Sequence, residues 1–170
     1  MLFSTLHSNT TRRIQYTAGL VRRVYTNGYF ADNFSWFDGK TPASITAQTT
    51  SLSQSIGTTD SVEWRGYFRP TTTETYTFYT NSDDASWVWI GQAAFAPSSS
   101  NEVVDNGTAH AVQERSGTIA LTEGIYYPIL IQFGNNTGPA TFEFFHSTAT
   151  ISKTQTITGK VFYNPFSEGF

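Results

Sequence analysis

Ser61-Val62-Glu63-Trp64-Arg65-Gly66-Tyr67-Phe68 decides the fold. Val62, Trp64, Gly66 and Phe68 fall on one side of this stretch, while Glu63, Arg65 and Tyr67 fall on the other. Successive side chains of a strand point to opposite faces, so a period of two marks a strand with one face buried. Pro70 and the three threonines after it end the run.

The same logic extends outward. Thr75-Tyr76-Thr77-Phe78-Tyr79 and Trp87-Val88-Trp89-Ile90 read as strands on either side of the adjacent carboxylates Asp83-Asp84. Tyr127, Ile129, Ile131 and Phe133 share a face, as do Phe142 and Phe144, and the turn Gly134-Asn135-Asn136-Thr137-Gly138-Pro139 between them predicts a hairpin-like pair. Pro128 has no N–H to give to a ladder, which places it on an edge or at a bulge. Asn101 to Gly107 reads as a short strand running into an Asn-Gly turn, and Ile119 and Leu121 alternate into the turn Glu123-Gly124. Short strands separated by Gly, Pro and Asn turns predict an all-β, two-sheet antiparallel β-sandwich.

A chain of 170 residues is the size of one domain and can bury a core without staples. It has no cysteine, which excludes disulfides and thiolate metal sites. The net charge of −3 hides an asymmetry: residues 1–31 hold Arg12, Arg13, Arg22 and Arg23 and no acid, and the other six bases face all thirteen acids. Residues 1–18 are read as an N-terminal arm and residues 19–170 as the sandwich domain. The four arginines suit either a solvated basic arm or one that docks on an acidic partner surface. No interleaved basic and aromatic track points to nucleic acid. The start Met1-Leu2-Phe3-Ser4-Thr5-Leu6 is too short for the apolar core of a secretory signal, and no run is long enough to insert in a membrane.

Two neighbouring carboxylates on a turn repel each other unless a cation sits between them, and hard oxygen donors select calcium or magnesium. Taken alone, Asp83-Asp84 also suits a turn whose side chains accept backbone N–H groups. Trp87 and Trp89 share a strand face opposite Val88 and Ile90. Of the histidines, His7, His110 and His146 lie on separate segments, which gives no metal cluster, and His110 reads as a locally bonded loop residue. Catalysis is not expected: glycoside hydrolysis needs two carboxylates flanking one bond, and nothing in the sequence selects Glu63 or Glu143 to pair with Asp83.

Ser61 to Phe68, then Tyr76-Thr77-Phe78, Ser82-Asp83-Asp84, Trp89-Ile90-Gly91 and Gly124-Ile125-Tyr126-Tyr127-Pro128-Ile129 occur in an order and spacing that resembles the protective-antigen-type, or PA-14, domain. Asn106-Gly107 and His110 resemble that family's middle loop, and the resemblance spans about Gly19 to Phe145. It implies a sandwich that in many members binds sugars through calcium, with the two aspartates joined by a cis peptide and a second loop giving an amide side chain and backbone carbonyls. On this chain it implies a metal site at Asp83, Asp84 and one of Asn135 and Asn136. The ligand-binding set then adds Thr137 and Trp87, with the Trp87 ring stacking on the sugar and Trp89 packing under a loop.

Two functions fit these expectations. One is a calcium-dependent carbohydrate-binding, lectin-like adhesin module displayed on an extracellular surface or a virion. The other is a structural virion protein, a capsid decoration or fibre subunit, docked through Arg12, Arg13, Arg22 and Arg23. The apolar end Val161 to Phe170 is read as a last strand closing the sandwich or as a contact with another subunit in a homo-oligomer.

Overall fold

A computed structural model describes residues 15–49, 52, 58–156 and 161–163. Arg12, Arg13 and His7 lie outside them. Among the described residues twelve strands follow in order: β1 Thr17–Ala18, β2 Leu20–Tyr25, β3 Ser44–Thr49, β4 Ser61–Phe68, β5 Glu74–Asp83, β6 Ser86–Ile90, β7 Val104–Asn106, β8 Gln113–Leu121, β9 Tyr127–Gly134, β10 Thr141–Ser147, β11 Thr154–Gln155 and β12 Val161–Tyr163. Short 3-10 turns occupy Phe34–Phe37 and Gly91–Ala94. Among the described residues no helix is long and apolar enough to cross a membrane.

The strands form an eight-stranded sheet and a four-stranded sheet, antiparallel throughout. The larger runs β1-β12-β4-β9-β6-β7, with β2 also on β4 and β3 on β2; the smaller runs β11-β10-β5-β8. One edge of β4 is divided. Its Ser61 to Arg65 pair with β2, and Tyr67 and Phe68 pair with β12. Of the apolar end expected to close the sandwich or to meet another subunit, Val161 to Tyr163 form a strand between β1 and β4, and residues 164–170 lie outside the described residues.

The alternation read from β4 holds. Val62, Trp64 and Phe68 enter the core between the sheets, with Ile129, Ile131 and Phe133 of β9 beside them and Tyr76, Phe78, Phe142 and Phe144 facing them from the smaller sheet. Trp64 stacks on Phe142 at 4.9 Å and Phe133 on Phe142 at 5.0 Å, ring pairs that add about 0.5–1.5 kcal/mol each beyond the area they bury.

The expected hairpin of β9 and β10 is not formed. β9 lies between β4 and β6 in the larger sheet, and β10 lies between β5 and β11 in the smaller one. The Gly134 to Pro139 turn carries the chain across the sandwich, because the apolar faces of both strands meet one core from opposite sides. Pro128 stands opposite Tyr67, beyond the end of β6 at Ile90, so β9 has a single neighbour there and the missing N–H leaves no gap in an inner ladder.

The outer face of the larger sheet is not open to solvent. The connection after β2 folds across it, and Phe30 and Phe37 cover Trp87, Trp89 and Leu130 to make a second, smaller core with Tyr25. Glu63, on the strand face expected to meet water, is consequently 1% exposed. Its charge is matched: Arg65 bridges to it at 3.0 Å, Tyr25 donates to it at 3.2 Å and the Gln132 amide donates at 3.1 Å. Burial first, and then the Glu63 charge, push the Tyr25 phenol up to about 12.

Thr17 and Ala18, within the stretch read as an arm, pair with β12, and Tyr16 stacks on Tyr126 at 3.8 Å. Arg22 and Arg23 are also not arm residues. They sit inside β2, flanked by β3 and β4, with the Arg22 guanidinium over the Trp64 ring at 6.0 Å. Burial lowers the Arg22 pKa. Of the four arginines expected to dock on a partner, Arg22 and Arg23 thus belong to the sandwich, and Arg12 and Arg13 lie outside the described residues.

Candidate metal and ligand site

β5 and β6 are two strands of different sheets joined by a very short link. Ser82 and Ser86, four residues apart, close its base with a hydroxyl hydrogen bond of 2.8 Å in the sandwich interior. Between them Asp83 and Asp84 are joined by a cis peptide, as the resemblance implies. This link stands at one end of the sandwich, beside the turn that follows β9: the Gly134 N–H donates to the Ala85 carbonyl at 2.9 Å.

The two carboxylates have different surroundings. Asp84 is 7% exposed and accepts two backbone N–H groups, His110 on Oδ1 and Asn136 on Oδ2, both at 2.8 Å. It thus ties the loop after β7 and the loop after β9 to one point. Asp83 is half-buried, and its carboxylate takes no hydrogen bond from the described residues.

The two asparagines are equally distinct. Asn135 is fully buried; its amide nitrogen donates to the Gly138 carbonyl at 2.7 Å, and its Oδ1 has no partner among the described residues. Asn136 donates its backbone N–H to Asp84, its carbonyl accepts from the Thr59 hydroxyl at 2.9 Å, and its side chain is exposed. Thr137 is exposed beside it. Among the described residues no three His, Cys, Asp or Glu side chains come together, so any ion here draws on mixed carboxylate and amide oxygens.

Trp87 is not the open platform expected of it. It is 7% exposed; its indole N–H donates to Asp105 Oδ1 at 2.6 Å, and Phe30, Phe34 and Trp89 pack on its ring edge-to-face. Trp89 is covered as expected and donates to the Ser98 carbonyl at 3.0 Å. Glu63 and Glu143 do not face Asp83 across a cleft. Glu63 lies under the β2–β3 connection, and Glu143 accepts from Asn81 on the smaller sheet.

Several residues outside the expected metal and ligand set adjoin the site. Asn106, 1% exposed, donates to Ser82 Oγ at 2.9 Å from behind the aspartate link. Asp105 accepts the Gly107 N–H at 3.0 Å, and Asp32 accepts the Thr108 N–H. Tyr29 lies against Gly134, and burial together with the charges of Asp32 and Asp84 raises its pKa. His110 borders the site through its backbone, while His146 is in the core, bonded to Thr156 at 2.8 Å.

The model of the GLEYA domain family matches residues 61–148, just over half of the chain, and this span includes the aspartate pair and Asn135. The chain belongs to the GLEYA domain family. The structure of this GLEYA domain is similar to several solved ones. With the Epithelial Adhesin 6 A domain of Candida glabrata, solved with Galβ1-3GlcNAc, it shares a TM-score of 0.68 and 17% identity, over 91% of this chain and 90% of that one. With the PA14 domain of the MpAFP antifreeze protein the TM-score is 0.67 at 17% identity, over 90% and 96%. An anti-sigma factor domain-containing protein of Clostridium clariflavum gives 0.68 at 21% identity over 85% of this chain, and the GLEYA domain spans only 47% of that protein's chain. No curated protein matches. These likenesses establish the PA14-type sandwich.

Proposed function

We propose that this GLEYA domain is a carbohydrate-binding, adhesin-type module that holds its ligand through a calcium ion at Asp83, Asp84 and Asn135. The observation that carries the reading is the Asn135 Oδ1, a fully buried acceptor with no partner among the described residues, in the turn whose next residue, Asn136, is bonded to Asp84. A buried acceptor left unpaired costs free energy, and a cation is the partner that would satisfy it together with two carboxylates. The donors are all hard oxygens, the set calcium takes.

Each residue has a separate part. Asp84 fixes the two bordering loops and keeps a lone pair on each oxygen; Asp83 brings a carboxylate that no donor among the described residues engages; Asn135 is oriented by its own amide nitrogen on Gly138. Calcium, when bound, offers further coordination positions that vicinal sugar hydroxyls fill. Asn136 and Thr137 stand exposed at the lip, where their side chains reach ligand hydroxyls. The glycan complexes of the Candida glabrata Epithelial Adhesin 6 and 9 A domains support the ligand class.

Calorimetric titration of calcium into chelator-stripped protein tests the ion. One bound calcium is expected for the wild-type chain, and at least about 10-fold weaker binding for Asn135→Ala. A wild-type chain that takes up no calcium would contradict the reading.

A further inference from the structure

Three backbone N–H groups of one loop are held by three carboxylates. Gly107 donates to Asp105, Thr108 to Asp32 and His110 to Asp84. Asp105 is local and Asp84 belongs to the site already described. Asp32 is distant in the chain, in the connection between β2 and β3 that packs over Trp87.

That connection is shaped to deliver it. Ala31 and Asp32 both have left-handed backbones, with φ of 46° and 57°, a conformation that residues with a Cβ adopt at a cost. On the receiving side Thr108 is also left-handed at φ 70°. Gly107 leaves the room the carboxylates occupy: a Cβ there would stand 3.0 Å from Asp32 Oδ1 and 3.1 Å from Asp105 Oδ1. The loop held in this way carries His110, whose ring nitrogens meet the Asn106 and Ala111 carbonyls at 3.2 and 2.9 Å, and the exposed Val112. His110 stands next to Asp84 through its backbone N–H, and Val112 directly precedes Gln113, which pairs with Ser82 at the start of the aspartate link.

We propose that Asp32 is the positioning residue of the 107–112 loop, setting where His110 and Val112 stand beside the Asp83-Asp84 site and hence which ligands the site accepts. The proposal rests on the carbohydrate reading for its ligand and on the hydrogen bond to Thr108 for its mechanism. An unfavourable backbone conformation at Thr108 persists because the Asp32 carboxylate accepts its N–H. Without that acceptor the loop relaxes, while Asp83, Asp84 and Asn135 keep their places.

The test compares Asp32→Ala with Asp32→Asn, whose amide oxygen still accepts from Thr108. Hydrogen exchange of the 107–112 amides should accelerate about 10-fold in Asp32→Ala and stay near wild type in Asp32→Asn. On a glycan array in calcium, Asp32→Ala should bind the wild-type ligand about 10-fold more weakly or change its ranking of ligands, with calcium affinity within about 2-fold of wild type. Asp32→Asn should retain the wild-type profile. Unchanged exchange in Asp32→Ala overturns the positioning role whether or not any glycan binds. Equal losses in both variants overturn it too, since charge and not the hydrogen bond would then be what matters. A wild-type chain that binds no glycan defeats the carbohydrate reading instead, and the exchange data still decide the role of Asp32.

Discussion

Asp84→Ala is expected to abolish calcium-dependent glycan binding and to cost about 3 kcal/mol of stability even without calcium. Its two oxygens accept the His110 and Asn136 N–H groups at 2.8 Å each, and the group is 7% exposed. Hydrogen bonds to a charged acceptor are stronger than neutral ones, and their loss leaves two loop N–H groups without their acceptor. Asp83→Ala is the informative contrast. The Asp83 carboxylate takes no hydrogen bond from the described residues, so its removal should end glycan binding at much smaller cost to the calcium-free fold. Urea denaturation in chelator, beside glycan binding in calcium, measures both. Equal destabilisation by the two variants would show that Asp84 does not clamp the loops.

Gly117→Ala is expected to destabilise the domain by about 3 kcal/mol. Gly117 lies within β8, opposite Phe78 of β5, and a Cβ added to it would fall inside the van der Waals envelope of the Val103 carbonyl oxygen. The obstacle is backbone and not the end of a flexible side chain. Relief therefore requires β8 to separate from the segment leading into β7, and β7 leads directly to the Gly107 loop. Chemical denaturation of the calcium-free protein reads the loss. A change below about 0.5 kcal/mol would mean that the two segments are free to part.

The strands were legible in the sequence wherever every second residue is apolar and enters the core between the sheets. Val62, Trp64 and Phe68 show this most clearly, and Tyr127 to Phe133 repeat it. Alternation states which side chains are buried, but not which sheet they are buried from. The pair of β9 and β10 therefore reads as a hairpin although Phe133 and Phe142 stack across the core from opposite sheets.

Alternation also assigns Glu63 to a wet face, and it cannot foresee that the β2–β3 connection covers that face. The aromatic run Tyr29-Phe30, Phe34, Trp36-Phe37 was the available sign of a second layer. The same covering turns Trp87 from a platform into packing.

At the site, Asp83-Asp84 were conspicuous because adjacent carboxylates require an explanation; the reading as acceptors of backbone N–H groups holds at Asp84, and the cation reading is what calcium titration decides. Which asparagine matters was not legible. Asn135 and Asn136 differ only in which side chain the chain reversal after β9 turns inward. Asp32 gave no signal, for its significance lies in a hydrogen bond to Thr108 that only the folded chain brings about.

The most direct test of the central claim is a glycan array probed with the purified chain, once in calcium and once in a chelator of calcium. Binding in calcium that disappears in chelator is the expected result, and it would also identify the sugar class. Glycan binding that persists undiminished in chelator, or a folded chain that binds nothing in either condition, would contradict a calcium-held carbohydrate site at Asp83, Asp84 and Asn135.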